Sequence, residues 1–442
     1  MKPAAKLAPT LLIAALALNC QVDKASAPLP NVSMDRASAP GLAQACRDKP
    51  GQHLARRPSA PVALLCAFTL PSGSSNIQNG TKSWVDGGKY YLTELANGSV
   101  YIFDVADQEY LGRVTGFVGA TGVAATSGPN SIVFSADGRA WVSDGISSVR
   151  VVDLASNTII ASINTAIGAC DNGTIHNCQR TNEIDFDPEH RIIFVQNPSP
   201  LSLTGVTIDT YGTFISADPP YAVLGTITFA DRRGQEASVY DAGQHRFVTT
   251  VSGRQVVTGG AVTALYHQYV GIIDPTVRPF TLERKYDVDC TALGLTVAPT
   301  PANPTGRVFG INDPALGSDG RMVLPACGRA LIFDPRNGAT TVLDVGGGNE
   351  TWFNTGDGNY YVTGMNFSAT PGPNSLGVID ASSATVRQYL PAISATNPAA
   401  AADNNHIYAV VPANANATAC TPFGFQSSGC ILVFAHVPGG GE

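Results

Sequence analysis

The feature that most constrains this chain is a short run that recurs along most of its length, a β-branched or apolar stretch closing on aspartate. The copies are Val100-Tyr-Ile-Phe-Asp104, Val149-Arg-Val-Val-Asp153, Val270-Gly-Ile-Ile-Asp274, Ala330-Leu-Ile-Phe-Asp334 and Leu376-Gly-Val-Ile-Asp380. Gly225-Thr-Ile-Thr-Phe229 and Ile431-Leu-Val-Phe434 read as degenerate copies. Turn residues follow each aspartate, as in Leu154-Ala-Ser-Asn157 and Pro335-Arg-Asn-Gly338. A carboxylate placed there accepts backbone N–H groups of the turn, so a structural role is expected for these aspartates. Upstream of each copy stands a second unit, an apolar strand, an Asp/Gly/Asn turn and another strand, which reads as a β-hairpin. Ser131 to Val142, Glu183 to Val195, Glu350 to Val362 and Ala399 to Val411 are examples.

These units begin near positions 84, 131, 183, 236, 313, 350 and 397. Seven units of roughly 40–50 residues match the period of four-stranded propeller blades. The expected fold is all-β, a seven-bladed β-propeller. The 77 residues from 236 to 313 exceed one period, and an insertion around Cys290 to Thr305 is expected to hold the excess. The last unit has only three strands, ending with Ile431 to Val437. A ring that leaves no raw edge needs a fourth, and the isolated apolar run Val62 to Leu70 is expected to supply it from the N-terminal side. The expected organisation is an export signal over 1–27, a flexible tether over 28–61, the propeller over 62–437 and a tail over 438–442. Only 14% of residues are charged, whereas Gly numbers 45 and Pro 30, which excludes charge-stitched helical bundles and coiled coils. A net charge of −7 argues against nucleic acid as a partner.

The runs ending in Ile-Phe-Asp104, Val-Val-Asp153 and Ile-Ile-Asp274, with their hairpins, resemble YVTN-type β-propeller repeats of exported bacterial proteins. The resemblance covers about residues 62 to 437. It implies a fold shared by surface and periplasmic binding proteins, lactonases, lyases and the heavy subunits of amine dehydrogenases. It transfers no ligand set to this chain.

The N-terminus reads as an address. Lys2 and Lys6 precede the apolar run Leu11 to Leu18, which fits the core of an export signal. Two cleavage readings stay open, before Cys20 with lipidation of that residue, or after Ala27 in the small-x-small pattern Ala25-Ser26-Ala27. Periplasmic location or attachment to the outer membrane through an N-terminal lipid is expected. Of nine cysteines, eight remain without Cys20, an even number consistent with complete pairing in an oxidising compartment. Cys170 with Cys178 and Cys420 with Cys430 are expected to close short loops. Cys46, Cys66, Cys290 and Cys327 can pair in three ways, of which 46–66 with 290–327 is the expected one. No C-x-x-C occurs, so zinc and haem attachment find no support here.

Candidate chemistry lies where the hairpins open, because the first strand of every propeller blade lines the central channel. Asn182-Glu183, Gln235-Glu236, Asn312-Asp313 and Asn349-Glu350 each set an amide beside a carboxylate. Four carboxylates around one axis repel unless a cation, an arginine or protons intervene. A divalent cation such as calcium, with its flexible oxygen shell, is one expectation; backbone donors or Arg180, Arg232 and Arg233 are the alternative. His190, His245 and His406 occupy hairpin turns and are expected to face solvent, and Trp84, Trp141 and Trp352 to pack between blades. No nucleophile elbow or phosphate loop occurs. The expected function is binding of a small molecule, glycan or protein at the channel mouth, with no catalysis assigned. The alternative is a metal-dependent lactonase or lyase.

Overall fold

Each blade is a strip of four antiparallel strands whose burial follows its distance from the axis. Middle strands are buried throughout, as in Ile192–Asn197 and Met322–Ala326, because a neighbouring blade covers each of their faces. Outermost strands such as Thr158–Asn164 and Thr340–Gly346 alternate with solvent-facing residues, because the blades splay apart at the rim. The computed structural model describes Cys46 and residues 61–78, 82–122, 126–167, 178–197, 210–229, 234–300, 303–346, 350–363, 375–391, 396–413 and 418–436.

Seven four-stranded sheets form blades 1 to 7, spanning 82–115, 132–164, 184–229, 235–287, 315–346, 351–391 and 396–436. The seventh takes its outer strand from Val62–Phe68, which pairs antiparallel with Cys430–His436 from Val62 opposite His436 to Phe68 opposite Ile431. Seven hydrophobic clusters occupy the seven junctions between neighbouring blades. One of them joins blade 7 to blade 1 through Phe68, Tyr90, Tyr408 and Val433, which closes the ring. The closing strand is held further by Gln388 of blade 6, which accepts from Val62 N at 2.9 Å and donates to Val62 O at 2.6 Å. A disulfide from Cys46 to Cys66 ties the preceding arm to the same strand.

Cys290–Cys327 and Cys420–Cys430 are two further disulfides, paired as the sequence suggests. Cys178 is buried and disulfide-bonded, while its expected partner Cys170 lies outside the described residues. Such bonds persist in oxidising surroundings and mark a non-cytosolic protein. Among the described residues no helix is long and apolar enough to cross a membrane. Residues 1–45, on which the expected export signal and Cys20 fall, lie outside the described residues.

Three details depart from the repeat reading. Gly225 to Phe229 belongs to the outermost strand of blade 3, Val223–Phe229; the third strand is Thr210–Ser216, which carries no closing aspartate. The first hairpin opens at Lys82, two residues before the expected start. The excess in blade 4 is divided in two, because a hairpin of Arg254–Thr258 and Ala261–Tyr266 is inserted between its second and third strands, in addition to the long link after Asp287. Hairpin and link join: Gln255 Nε2 donates to Asn303 Oδ1 and Gln255 Oε1 accepts from Thr305 Oγ1, both at 2.8 Å.

Antiparallel order sends the four strands of each blade in alternating directions. The starts of all first strands, the links between second and third strands, and the links between blades therefore share one face, here the entry face. The opposite face carries tight turns. There all five repeat aspartates accept turn N–H groups: Asp104 from Ala106, Asp153 from Ser156, Asp274 from Thr276, Asp334 from Arg336 and Asp380 from Ser383, at 2.7–2.9 Å.

Candidate functional site

At the entry face the chain converges on one ammonium group. Lys82 opens the first strand of blade 1, and its Nζ lies 2.7 Å from Glu183 Oε1 of blade 3 and 2.6 Å from Asp313 Oδ2 ahead of blade 5. It also bonds Glu350 Oε1 ahead of blade 6. One point reached from blades 1, 3, 5 and 6 lies on the ring axis. The four side chains keep 8–15% of their surface exposed, so the cluster is largely buried without being sealed from solvent.

Sequence alternation explains what lies behind it. Side chains two apart on a strand share a face, so Trp84 follows Lys82 and Trp352 follows Glu350 toward the axis. The two indoles meet edge to face at 5.1 Å, across the small residues Ala399 to Ala401 of blade 7. Asp185 follows Glu183 in the same way. It accepts from Phe186 N at 2.7 Å and from Tyr240 N in the first strand of blade 4, an inner-edge donor that no further strand could satisfy.

The electrostatics are those of charges gathered out of water. Burial works against the Lys82 ammonium, but Asp313, Glu183 and Glu350 outweigh it and hold its pKa well above the usual value. Burial pushes Asp313 well above the carboxylate range despite Lys82, with the Glu183 and Glu350 charges adding to the effect. Glu350 is raised, also chiefly by burial. Asp185 is pushed up to about 7, first by burial and then by the charges of Asp187 and Glu183. Asp313 and Glu350, facing one ammonium together with a third carboxylate, thus favour their protonated forms.

Amides complete the rim. Asn397 N donates to Glu350 Oε2 at 3.0 Å, Ser83 Oγ donates to Asn397 O at 2.6 Å, and Asn130 Nδ2 donates to Asn182 Oδ1 at 3.1 Å. Asp313 and Glu350 also share an isolated bridge, and Thr351 Oγ1 donates to Asp313 O at 2.9 Å. Of the residues singled out by sequence, Glu183, Asp313 and Glu350 meet at the axis, Asn182 is buried in the rim, and Asn312 is half-buried, accepting from Thr250 Oγ1 through its carbonyl at 3.5 Å. Asn349 lies outside the described residues, as do the side chains of Gln235 and Glu236 and all of Arg232 and Arg233. Lys82 and Asp185 were missed. Lys82 was hidden by placing the first hairpin at Trp84, and Asp185 was legible through the alternation from Glu183.

The histidines separate by one residue. Arg191, His245 and Asn405 occupy the same left-handed turn position, at φ of 55°, 56° and 55°. His190 precedes it, while His406 follows it and enters the strand, where it is buried against Asn404 and Gln108 rather than solvent-facing. Among the described residues no group of three or more His, Cys, Asp or Glu is arranged to hold a metal ion.

Among solved structures, the chain is similar to one in a crystal structure of a mitotic checkpoint complex, with a TM-score of 0.56 and 10% identity over 96% of this chain and 100% of that one. At that identity the likeness shows the propeller fold alone. No family model and no curated protein matches the sequence.

Proposed function

We propose that this protein is an exported propeller that binds a small molecule, glycan or protein segment at the mouth of its channel on the entry face. The observation that carries the reading is the one-sided elaboration of the ring. The inserted hairpin of blade 4, the long link after Asp287, and the disulfides Cys290–Cys327 and Cys420–Cys430 all stand on the face where the Lys82 cluster lies. Loops fixed on a rigid scaffold are where binding residues concentrate, and disulfides hold such loops in one shape. The repeat resemblance, the signal-like residues 1–27 and the disulfides support export, with Cys20 as the residue for lipid attachment if cleavage falls before it. The metal-dependent lactonase or lyase reading is the weaker one, because Lys82 Nζ takes the position on the axis that its cation would need.

Ligand-dependent thermal shifts test this proposal with panels of oligosaccharides, peptides and small charged molecules. A binder is expected whose effect is lost in Asp313→Asn and kept in Arg336→Ala on the opposite face. A binder lost in Arg336→Ala and indifferent to Asp313→Asn would place recognition on the wrong face and end the reading.

A further inference from the structure

At the axis one amine touches three carboxyl groups, two more than an ion pair needs. The surplus matches a reaction. Condensing an amine with a carboxyl group uses one carboxyl to be attacked, a base for the proton that leaves the ammonium, and an acid to pass protons at the attacked carbon.

The geometry separates these roles. Asp313 suits the attacked group: its Oδ2 lies 2.6 Å from Lys82 Nζ, which leaves Cγ one bond further from the nitrogen. Its backbone is fixed, because Asn312 N donates to Pro325 O at 2.8 Å, Thr351 Oγ1 donates to Asp313 O at 2.9 Å, and Asp313 bridges Glu350. Such fixing spares the entropy of bringing the two groups together. Burial favours the protonated carboxyl, the form open to an amine. Glu183 Oε1, 2.7 Å from the same Nζ, suits the base. Glu350 suits the acid, since it also favours its proton, touches Nζ through Oε1, and is steadied by Asn397 N on Oε2 at 3.0 Å.

Two further features assist. The three acids hold the Lys82 proton against loss to solvent, but passing it to Glu183 keeps it inside the cluster and removes one buried charge of each sign, which burial favours. Trp84 and Trp352 stand behind the cluster, and its side chains are largely buried, so the water that would reverse the reaction is scarce.

We propose that Lys82 and Asp313 condense into an intramolecular amide, an Nζ–Cγ cross-link that ties blade 1 to the segment ahead of blade 5. The ion-paired cluster is its reactant state. Glu183 takes one ammonium proton and Nζ attacks Cγ. Glu350 gives a proton to the departing oxygen and recovers one from the nitrogen. The Nζ–Cγ bond forms, one Cγ–O bond breaks and water leaves. An ammonium, a carboxylate and a carboxylic acid thereby become an amide, a carboxylic acid and water, with no oxidant and no change in net charge. Because the joined residues lie 231 apart in sequence, the bond fastens the ring independently of its closing strand.

Mass spectrometry of the full chain, unfolded, reduced and digested, tests this. The expected product is a branched peptide joining the segments of Lys82 and Asp313, lighter by one water than their sum. Lys82→Arg keeps a cation but not the reacting amine, and its intact reduced chain is expected to exceed wild type by one water beyond the residue difference. Glu183→Gln keeps both joined residues and is expected to slow formation of the branch about a hundredfold or more, as loss of a general base implies. The wild-type result stands whether or not a variant folds. Wild type of full sequence mass, with Lys82 and Asp313 in separate linear peptides after prolonged incubation at neutral pH, would overturn the proposal. So would a branch from Lys82 to Glu183 or Glu350, or one that forms as fast in Glu183→Gln.

Discussion

Lys82 is the residue on which the centre of the ring turns, because it is the single ammonium among three carboxylates drawn from separate blades. Removing one partner of a buried ion pair leaves the others uncompensated and costs about 3–5 kcal/mol. Lys82→Met, similar in length but uncharged, is expected to lose that much in denaturant unfolding at neutral pH. The loss should shrink in acid, where protons replace the missing charge. Asp185 gives a second test with a definite sign. Its native pKa of about 7 stands above the ordinary carboxylate value, so between that value and about 7 the native state holds the extra proton and stability falls as pH rises. Asp185→Asn keeps an acceptor for Phe186 N and Tyr240 N and removes this dependence. Its advantage over wild type should grow between pH 5 and pH 8 by roughly 1–3 kcal/mol, at about 1.4 kcal/mol per pKa unit reduced for partial solvation. A constant difference at both pH values would contradict it.

At the scale of elements, the closing strand and the inserted hairpin are expected to behave in opposite ways. Val62–Phe68 completes blade 7, and its removal exposes the edge of Cys430–His436 together with the apolar junction to blade 1. A chain lacking residues 1–69 is expected to aggregate; a monomer with an unchanged melting transition, seen by size-exclusion chromatography and calorimetry, would refute that closure. The hairpin 254–266 is a different case, because it leaves and re-enters blade 4 at nearly one point. A Cβ on Gly253 would lie 2.5 Å from both Tyr266 O and Gln268 N, which is why glycine stands there. Replacing 254–266 by a short glycine turn is expected to preserve the ring's circular dichroism and shift its melting temperature by only a few degrees. Collapse of the melting transition would show the hairpin to be part of the core.

For the whole molecule, stability is shared among seven blade junctions, while the links that differ from blade to blade stand on one face. The architecture was readable because each blade repeats the same local problem, four short strands and their turns, and strand alternation and turn residues respond to neighbours a few positions away. The starts of the seven units were legible to within two residues. The exception was blade 3, where the third strand Thr210–Ser216 lacks the aspartate that marks its counterparts and the similar outer strand took its place in the reading.

The sequence by itself determined the class, the number of blades and the supply of the last strand from the N-terminal side, because these follow from periodicity; short spacing indicated Cys420–Cys430, and of the three pairings open to Cys46, Cys66, Cys290 and Cys327 it favoured the one that the structure shows. It also marked Glu183, Asp313 and Glu350 as acids that open their blades. Only the tertiary structure decided what faces them. Closing the ring brings positions 82, 183, 313 and 350 to one axis, and which side chain crosses it depends on the angle and register of four separate blades. Whether their charge is met by a metal, an arginine, protons or a lysine is a question of distance and burial, and local pattern carries neither.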